Sequence, residues 1–404
     1  MDNKIIASRM DNIKSDIRGP IFHMALDMEK KGDKILKLNT GNPAAFGFPM
    51  PESIKTQILN NVDKSLGYCD LRGMKPAKEA ILEYETSKGI PNLTIDDVFI
   101  TNGVSEAASM IATAILNVDD EILIACPFYS LWTNSAYAAN AKPVFYKCNE
   151  DDNWNPDIED IKSKITPKTK AIVVINPNNP TGALYPDRIL LEIAEIARQN
   201  NLVVISDEIY DRLVFDGLKH NSFAKLSPDV TVITVNGLSK SHCACGLRCG
   251  WIVISGEGKA KEDINTALVA LASVRLCSNA LMQLIIPAAL KDSYYTEEMI
   301  SKTGRLYLQR EAAYQAINEV DGLSVVKNMG ALYMFPKIDT ERFNVTSDKE
   351  FVKGLLLAKK ILIVAGTGFG YTSPDHFRIV LLPKHEDIKN AIYDIGDYLQ
   401  TLKK

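Results

Sequence analysis

Through the middle of the chain, short apolar runs alternate with longer amphipathic stretches. Residues 97–102 lead into 105–116, and residues 121–126 stop at Pro127. Residues 171–175 precede a helical pattern near 187–200. Runs at 202–206, 230–235 and 251–254 complete the series. These runs are rich in β-branched residues and unbroken, as strands buried on both faces are. They predict an α/β fold with a mostly parallel central sheet covered by helices. Ligands of such sheets bind beyond the carboxyl ends of the strands.

After about residue 290 the rhythm changes. A helical stretch at roughly 294–319 leads to 323–327 and then to Gly330-Ala331-Leu332-Tyr333-Met334-Phe335-Pro336. A helix near 348–360 precedes strands at 361–364 and 377–382. The pattern predicts a smaller α+β domain. The expected division is an N-terminal segment, 1–45, packing with the small domain and the active site, a large domain, 46–290, and a small domain, 291–404. No internal repeat or low-complexity tract interrupts it.

A length of 404 residues fits two or three domains. Apolar content of 46% and charge of 24% are ordinary globular values. A net charge of −4, with no long run of like charges, argues against nucleic acid or an acidic membrane as partner. The N-terminus lacks the apolar core of a signal peptide, and no stretch is long enough for a membrane helix. Seven cysteines without a secretory signal read as reduced thiols in a cytoplasmic protein.

The candidate chemistry sits where the runs end. Asn236-Gly237-Leu238-Ser239-Lys240 follows one run, with Gly246, Arg248 and Gly250 beyond it. A lysine amine forms a Schiff base with an aldehyde cofactor, and an arginine nearby holds a phosphate. Asp207-Glu208-Ile209-Tyr210 follows another. Asp207 suits a protonated pyridine nitrogen, and Tyr210 a phenolic oxygen; Asp207 is equally read as a helix cap. In Asn176-Pro177-Asn178-Asn179-Pro180-Thr181-Gly182, prolines and glycine shape a loop that offers Asn179 as a rigid donor, or form a plain turn.

Thr101-Asn102-Gly103-Val104-Ser105 places a glycine between a strand and a helix start, where free N–H groups bind phosphate and Ser105 adds a hydroxyl. Ordinary capping by Ser105 is the alternative. Of Phe128 and Tyr129, one is expected to stack on a cofactor ring and the other to enter the core, with Tyr129 favoured as the stacker. Arg378, among apolar neighbours in 376–380, needs an anion, either a substrate carboxylate or a structural partner. Together these parts describe a pyridoxal 5′-phosphate site.

Two signals are set aside. His242, Cys243, Cys245 and Cys249 crowd together, but without the second ligand pair of a structural zinc site, so no metal is expected. Gly366-x-Gly368-Phe369-Gly370 is followed by Tyr371-Thr372-Ser373-Pro374, not by a helix, and reads as a mobile loop near the substrate. The tryptophans, Trp132 included, read as core or interface residues.

In this order NPNNPTG, DEIY, NGLSK…GLRCG and HFRIV resemble the class I and II aminotransferases of fold type I, over nearly the whole chain. IRGP, LNTGNPAAFGF, GYCDLRG and GALYMFPKID bring it nearest to the bacterial glutamate–pyruvate (alanine) aminotransferases. The resemblance implies that Lys240 carries the cofactor and acts as acid and base. It implies that Asp207 pairs with the ring nitrogen, Asn179 and Tyr210 hold the ring oxygen, and Tyr129 stacks. Val104 and Ser105, with Arg248, would hold the phosphate, joined by Tyr68 from the other subunit of a homodimer. Gly41 and Arg378 would bind the substrate. Cys243 and Cys249 depart from the small or aliphatic residues usual there, which suggests altered packing or redox sensitivity.

The expected reaction is amino transfer from L-alanine to 2-oxoglutarate. Valine or aromatic donors, or β-elimination, are alternatives that use the same cofactor residues. Arg18 is a candidate for glutamate's distal carboxylate. A DNA-binding regulator would need a further, basic module, and a non-catalytic nucleotide-binding protein would have no use for Lys240.

Overall fold

The computed structural model describes residues 5–403; residues 1–4 of the N-terminal segment and residue 404 lie outside them. Its centre is an eight-stranded sheet. The strands are β1 (Val98–Thr101), β2 (Glu121–Cys126), β3 (Lys142–Asn149), β4 (Asn155–Pro156), β5 (Thr169–Ile175), β6 (Val203–Asp207), β7 (Val232–Gly237) and β8 (Gly250–Ser255). They lie in the order β1-β8-β7-β6-β5-β2-β3-β4. Neighbours from β7 to β3 are parallel, and β1, β7 and β8 are buried at every position, as strands covered by helices on both faces are.

Two strands run against the others: the short β4, antiparallel to β3, and β8, which the apolar series predicted as parallel. β8 runs antiparallel to both β1 and β7. The 12 residues between Gly237 and Gly250 fold back at the carboxyl edge and do not cross the sheet, as a parallel connection would require. The chain also changes direction at the centre of the sheet. β2 is followed by its neighbour on one side, β5 by its neighbour on the other, so the carboxyl ends of β2 and β5 flank a crevice.

Helices cover both faces. Val104–Ile115 and Lys259–Arg275 pack on one, Asp187–Gln199 on the other. A further apolar cluster joins Ile54, Ala77 and Ile81 to Ile285, Ile286 and Ala289, so the helices between 280 and 291 belong with the sheet. The stretch expected as one helix at 294–319 is two, Tyr294–Ile300 and Arg305–Glu319. Ser-Lys-Thr-Gly at 301–304 makes a turn between them, closed by the Gly304 N–H on the Ser301 carbonyl at 2.7 Å.

The N-terminal segment joins the C-terminal elements. Leu36–Lys37 pairs in parallel with Ile361–Leu362, and Ala25 and Met28 of helix Pro20–Lys30 pack against Leu356 and Leu362. Arg378 lies in Phe377–Val380, between Tyr333–Met334 and Val364–Ala365. The Gly366–Phe369 turn is tied down: Phe369 is fully buried and its carbonyl accepts the Phe128 N–H at 2.8 Å, while Asp348 holds Thr367.

Candidate active site

The strand ends converge on one cleft of about 850 Å³, lined by Arg18, Gly41, Ser105, Tyr129, Lys240, Arg248, Tyr333 and Arg378. A smaller recess of about 130 Å³, lined in part by the same residues, adds Val104, Asn179, Asp207 and Tyr210. All the expected site residues except Tyr68 therefore meet at the carboxyl edge of the sheet. Tyr68 is 85% exposed.

Lys240 stands in the short helix Leu238–Ser241, directly beyond β7. Its Nζ donates to the Gly41 carbonyl at 2.7 Å and lies 3.8 Å from Cys245 Sγ. Burial favours the neutral amine; the phenols of Tyr333 and Tyr129 and the Cys245 thiol work the other way and leave it above the ordinary lysine value. No carboxylate pairs with it among the described residues.

Asp207 ends β6, is 3% exposed, and has no cationic partner among the described residues. Its Oδ2 accepts the Trp132 indole N–H at 3.0 Å and its Oδ1 the Ile209 N–H at 3.3 Å. Burial pushes its carboxyl up to about 6, against the pull of these two hydrogen bonds. No helix follows it, which removes the capping alternative.

Arg378 is the opposite case. It is 1% exposed, and among the described residues it faces no carboxylate and its Nε has no acceptor. Its Nη1 donates to Asn179 Oδ1 at 3.1 Å, its Nη2 to the Asn39 carbonyl, and its guanidinium lies over the Tyr333 and Phe369 rings. A buried cation with a free donor beside a cavity calls for an anion.

Asn179 is held by its loop. The Asn178 carbonyl accepts the Gly182 N–H at 3.0 Å, and the Gly182 carbonyl accepts the N–H groups of Met329 and Gly330, both at 2.9 Å. Tyr210 is buried and shares a hydrogen bond with the Tyr333 hydroxyl at 3.0 Å. Phe128 stacks on Phe145 at 4.8 Å, and Tyr129 lines the cleft.

Helix Val104–Ile115 opens at Gly103 without a side-chain cap, so its first N–H groups have no intrahelical partner. Gly103 has φ +80°, and a Cβ there would lie 2.3 Å from Arg248 Nη2. Arg248 is exposed, itself left-handed at φ 58°, and donates to Ser105 Oγ at 3.4 Å and to the Cys245 carbonyl at 2.9 Å. Free N–H groups, a hydroxyl and an unpaired guanidinium form an anion cradle.

Two residues of the site were missed by the sequence reading. Trp132 was expected in the core and is buried, but its indole orients Asp207. Its signal was a buried N–H donor three residues after Tyr129, which must find an acceptor. Tyr333, in the quoted GALYMF string, stands under Arg378 and against Gly41, where a Cβ would lie 2.4 Å from its hydroxyl. Nothing local set it apart from a core tyrosine.

The side chains of the His/Cys cluster diverge. His242 Nε2 meets the Ala289 carbonyl at 2.7 Å, Cys249 Sγ the Met282 carbonyl at 2.9 Å, and Cys245 Sγ the Ser239 carbonyl at 2.8 Å, while Cys243 faces Met299.

The arrangement offers an amine nucleophile, a buried carboxylate without a counter-ion, a buried guanidinium without an anion, and an anion cradle. Pyridoxal 5′-phosphate fits these unmet demands: its ring nitrogen answers Asp207 and its phosphate answers the cradle.

Comparison with known proteins agrees. The family model described as aminotransferase class I and II matches residues 33–395. The chain is 47% identical over 398 residues to the glutamate-pyruvate aminotransferase AlaA of Haemophilus influenzae, covering 98% of each. An Escherichia coli aminotransferase crystal structure superposes with a TM-score of 0.97 at 44% identity, over 100% of both chains. The alanine aminotransferase of Pyrococcus furiosus superposes with 0.93 at 38% identity, over 98% of this chain and 100% of that one. The chain belongs to the class I and II aminotransferases, enzymes that use pyridoxal 5′-phosphate.

Proposed function

We propose that the protein transfers the amino group of L-alanine to 2-oxoglutarate, giving pyruvate and L-glutamate. The observation that carries this reading is the pair of unmet buried charges around the Lys240 amine, Arg378 in the cleft and Asp207 in the adjoining recess, with Lys240 lining both. Relatives named glutamate-pyruvate or alanine aminotransferase, at 42–47% identity over nearly the whole chain, support the choice of substrates.

Bound pyridoxal phosphate supplies an aldehyde that captures the amino group and a protonated ring that draws electrons from the substrate α-carbon. The chain does the rest. Asp207 holds the proton on the ring nitrogen, and Trp132 keeps its carboxylate turned that way. Asn179 and Tyr210 donate to the ring oxygen, and Tyr129 covers the ring face. The N–H groups of Val104 and Ser105, the Ser105 hydroxyl and Arg248 bind the phosphate. Arg378 grips the substrate α-carboxylate beside the Gly41 backbone. Lys240, as a free amine, would take and return the proton of the substrate α-carbon. The second half-reaction uses the same groups in reverse, which gives ping-pong kinetics.

Glutamate brings a second carboxylate that alanine lacks. Arg18 is exposed on the same cavity, with no ion-pair partner among the described residues, and we assign it to that group. We further propose a homodimer in which Tyr68 crosses to the partner's phosphate cradle. Tyr68 is exposed, and so are the apolar side chains of Leu59 (70%), Leu66 (85%) and Val274 (87%), as residues that a subunit contact covers would be. Among the described residues no helix is long and apolar enough to cross a membrane, and the seven cysteines are free. We assign the protein to the cytoplasm.

An absorbance spectrum of the purified protein before and after L-alanine tests the reading. The yellow band of the bound cofactor should give way to the amine form as pyruvate appears. A yellow protein indifferent to alanine would overturn the donor assignment, and one that stays colourless with added pyridoxal phosphate would overturn the whole.

A further inference from the structure

Behind the strand ends that carry Asp207 and Lys240 lies a buried charge cluster that the chemistry above does not use. Lys88 closes helix Lys75–Ser87, with its side chain 13% exposed. Its Nζ is 2.7 Å from Asp211 Oδ2, 2.9 Å from Glu85 Oε2 and 3.2 Å from Glu208 Oε2. Three buried carboxylates around one ammonium are an expensive way to fill space, and a buried ion cluster is weak evidence for stability as such. The cluster does join two segments of chain. Glu208 and Asp211 belong to the turn that carries Asp207 and Tyr210. Asp211 Oδ2 also accepts from Asn236 Nδ2 at 2.7 Å. Asn236 Oδ1 in turn accepts the Gly237 N–H at 2.7 Å, one residue before the helix that bears Lys240. A second strap, from the Glu208 N–H to the Val235 carbonyl at 2.9 Å, runs alongside.

We propose that Lys88 is a positioning residue for transamination: by gathering Glu208 and Asp211 it locks the Asp207–Tyr210 turn to the Asn236–Lys240 segment. The amine that moves the proton is thereby aligned with the ring held by Asp207. The inference rests on the roles given to Lys240 and Asp207 above. Lys88 itself contacts Glu85, Glu208, Asp211 and the Tyr84 ring, and so acts through the two segments.

The test compares Lys88→Met and Asn236→Ala holoenzymes with the parent, with Lys240→Ala as the reference. Misplacing reacting groups by about 1 Å costs on the order of 10²-fold in rate. Lys88→Met should therefore lower kcat by roughly that factor while KM for L-alanine stays near the parent value, because Arg378 is untouched. The visible circular dichroism of the bound cofactor, which reports ring orientation, should shrink with it. Asn236→Ala should move both readouts in the same direction by less.

An unchanged kcat per loaded site, or a lower melting temperature with an unchanged dichroic band, would reduce the cluster to a structural element. If Lys88→Met does not fold, Asn236→Ala, which cuts a single strut, decides on the same two readouts. Turnover retained by Lys240→Ala would overturn the underlying roles instead. Loss there, with Lys88→Met unaffected, would overturn the positioning alone.

Discussion

Two residues of opposite sign, each buried without a charged partner among the described residues, define the chemistry of the cleft and its recess. Asp207 has its folded carboxyl raised to about 6 from 3.8, so the folded chain holds its proton more tightly than the unfolded one. Stability from this group is therefore lost as pH rises from about 4 to 6, and the deficit persists above that. At 1.36 kcal/mol per pKa unit the cost is roughly 3 kcal/mol in the absence of cofactor. Asp207→Asn should thus raise the melting temperature of the cofactor-stripped protein at pH 7, with the gap closing toward pH 4, while kcat collapses. A variant less stable than the parent at pH 7 would refute this account. At the other pole, Arg378→Lys retains charge but loses the fork. Hydrogen bonds to charged groups contribute about 1.5–3 kcal/mol, so kcat/KM should fall by roughly 10- to 150-fold for alanine and glutamate alike. Arg18→Ala should instead raise KM for glutamate and 2-oxoglutarate selectively. Equal effects on alanine would remove Arg18 from the distal-carboxylate role.

At the scale of elements, the strand–turn–helix junctions do the holding. Gly103 is the tightest of them, since both its φ of +80° and the nearness of Arg248 exclude a side chain. Gly103→Ala should displace Arg248, and the loss of one charge-assisted bond should weaken cofactor binding roughly tenfold or more. Titration of stripped protein with pyridoxal phosphate measures it. These junctions were legible in the sequence because each motif ends an apolar run, and strand ends on one edge must share a cleft. Lys240, Asp207, Asn179 and Ser105 were found that way, and Arg378 as a charge among the apolar residues of a strand. Less legible was what depends on partners distant in sequence. Trp132 looked like core because its acceptor lies 75 residues away. Tyr333 looked like core because Gly41 and Tyr210, which give it meaning, come from other elements. β8 was read as one more strand of the parallel series, because strand direction is set by the connection and leaves no mark on the apolar pattern.

At the scale of the molecule, the proposed crossing of Tyr68 predicts a dimer with two shared sites. Mixing inactive Lys240→Ala and Tyr68→Ala chains tests it. A mixed dimer recovers one site with both an intact Lys240 and an intact partner tyrosine, so activity should return on subunit exchange. Its failure to return, with mixed dimers present by mass, would confine each site to one chain. The pairing of Leu36–Lys37 with Ile361–Leu362 has a consequence for the order in which the protein is made. Translation proceeds from the N-terminus and domains fold as they emerge. The segment that carries Arg18 and Gly41 leaves the ribosome before the central sheet, yet its partner strand follows the sheet. The central sheet can close in the interval, while the opening segment waits. The catalytic cleft is thus completed only once both of these distant segments have been made.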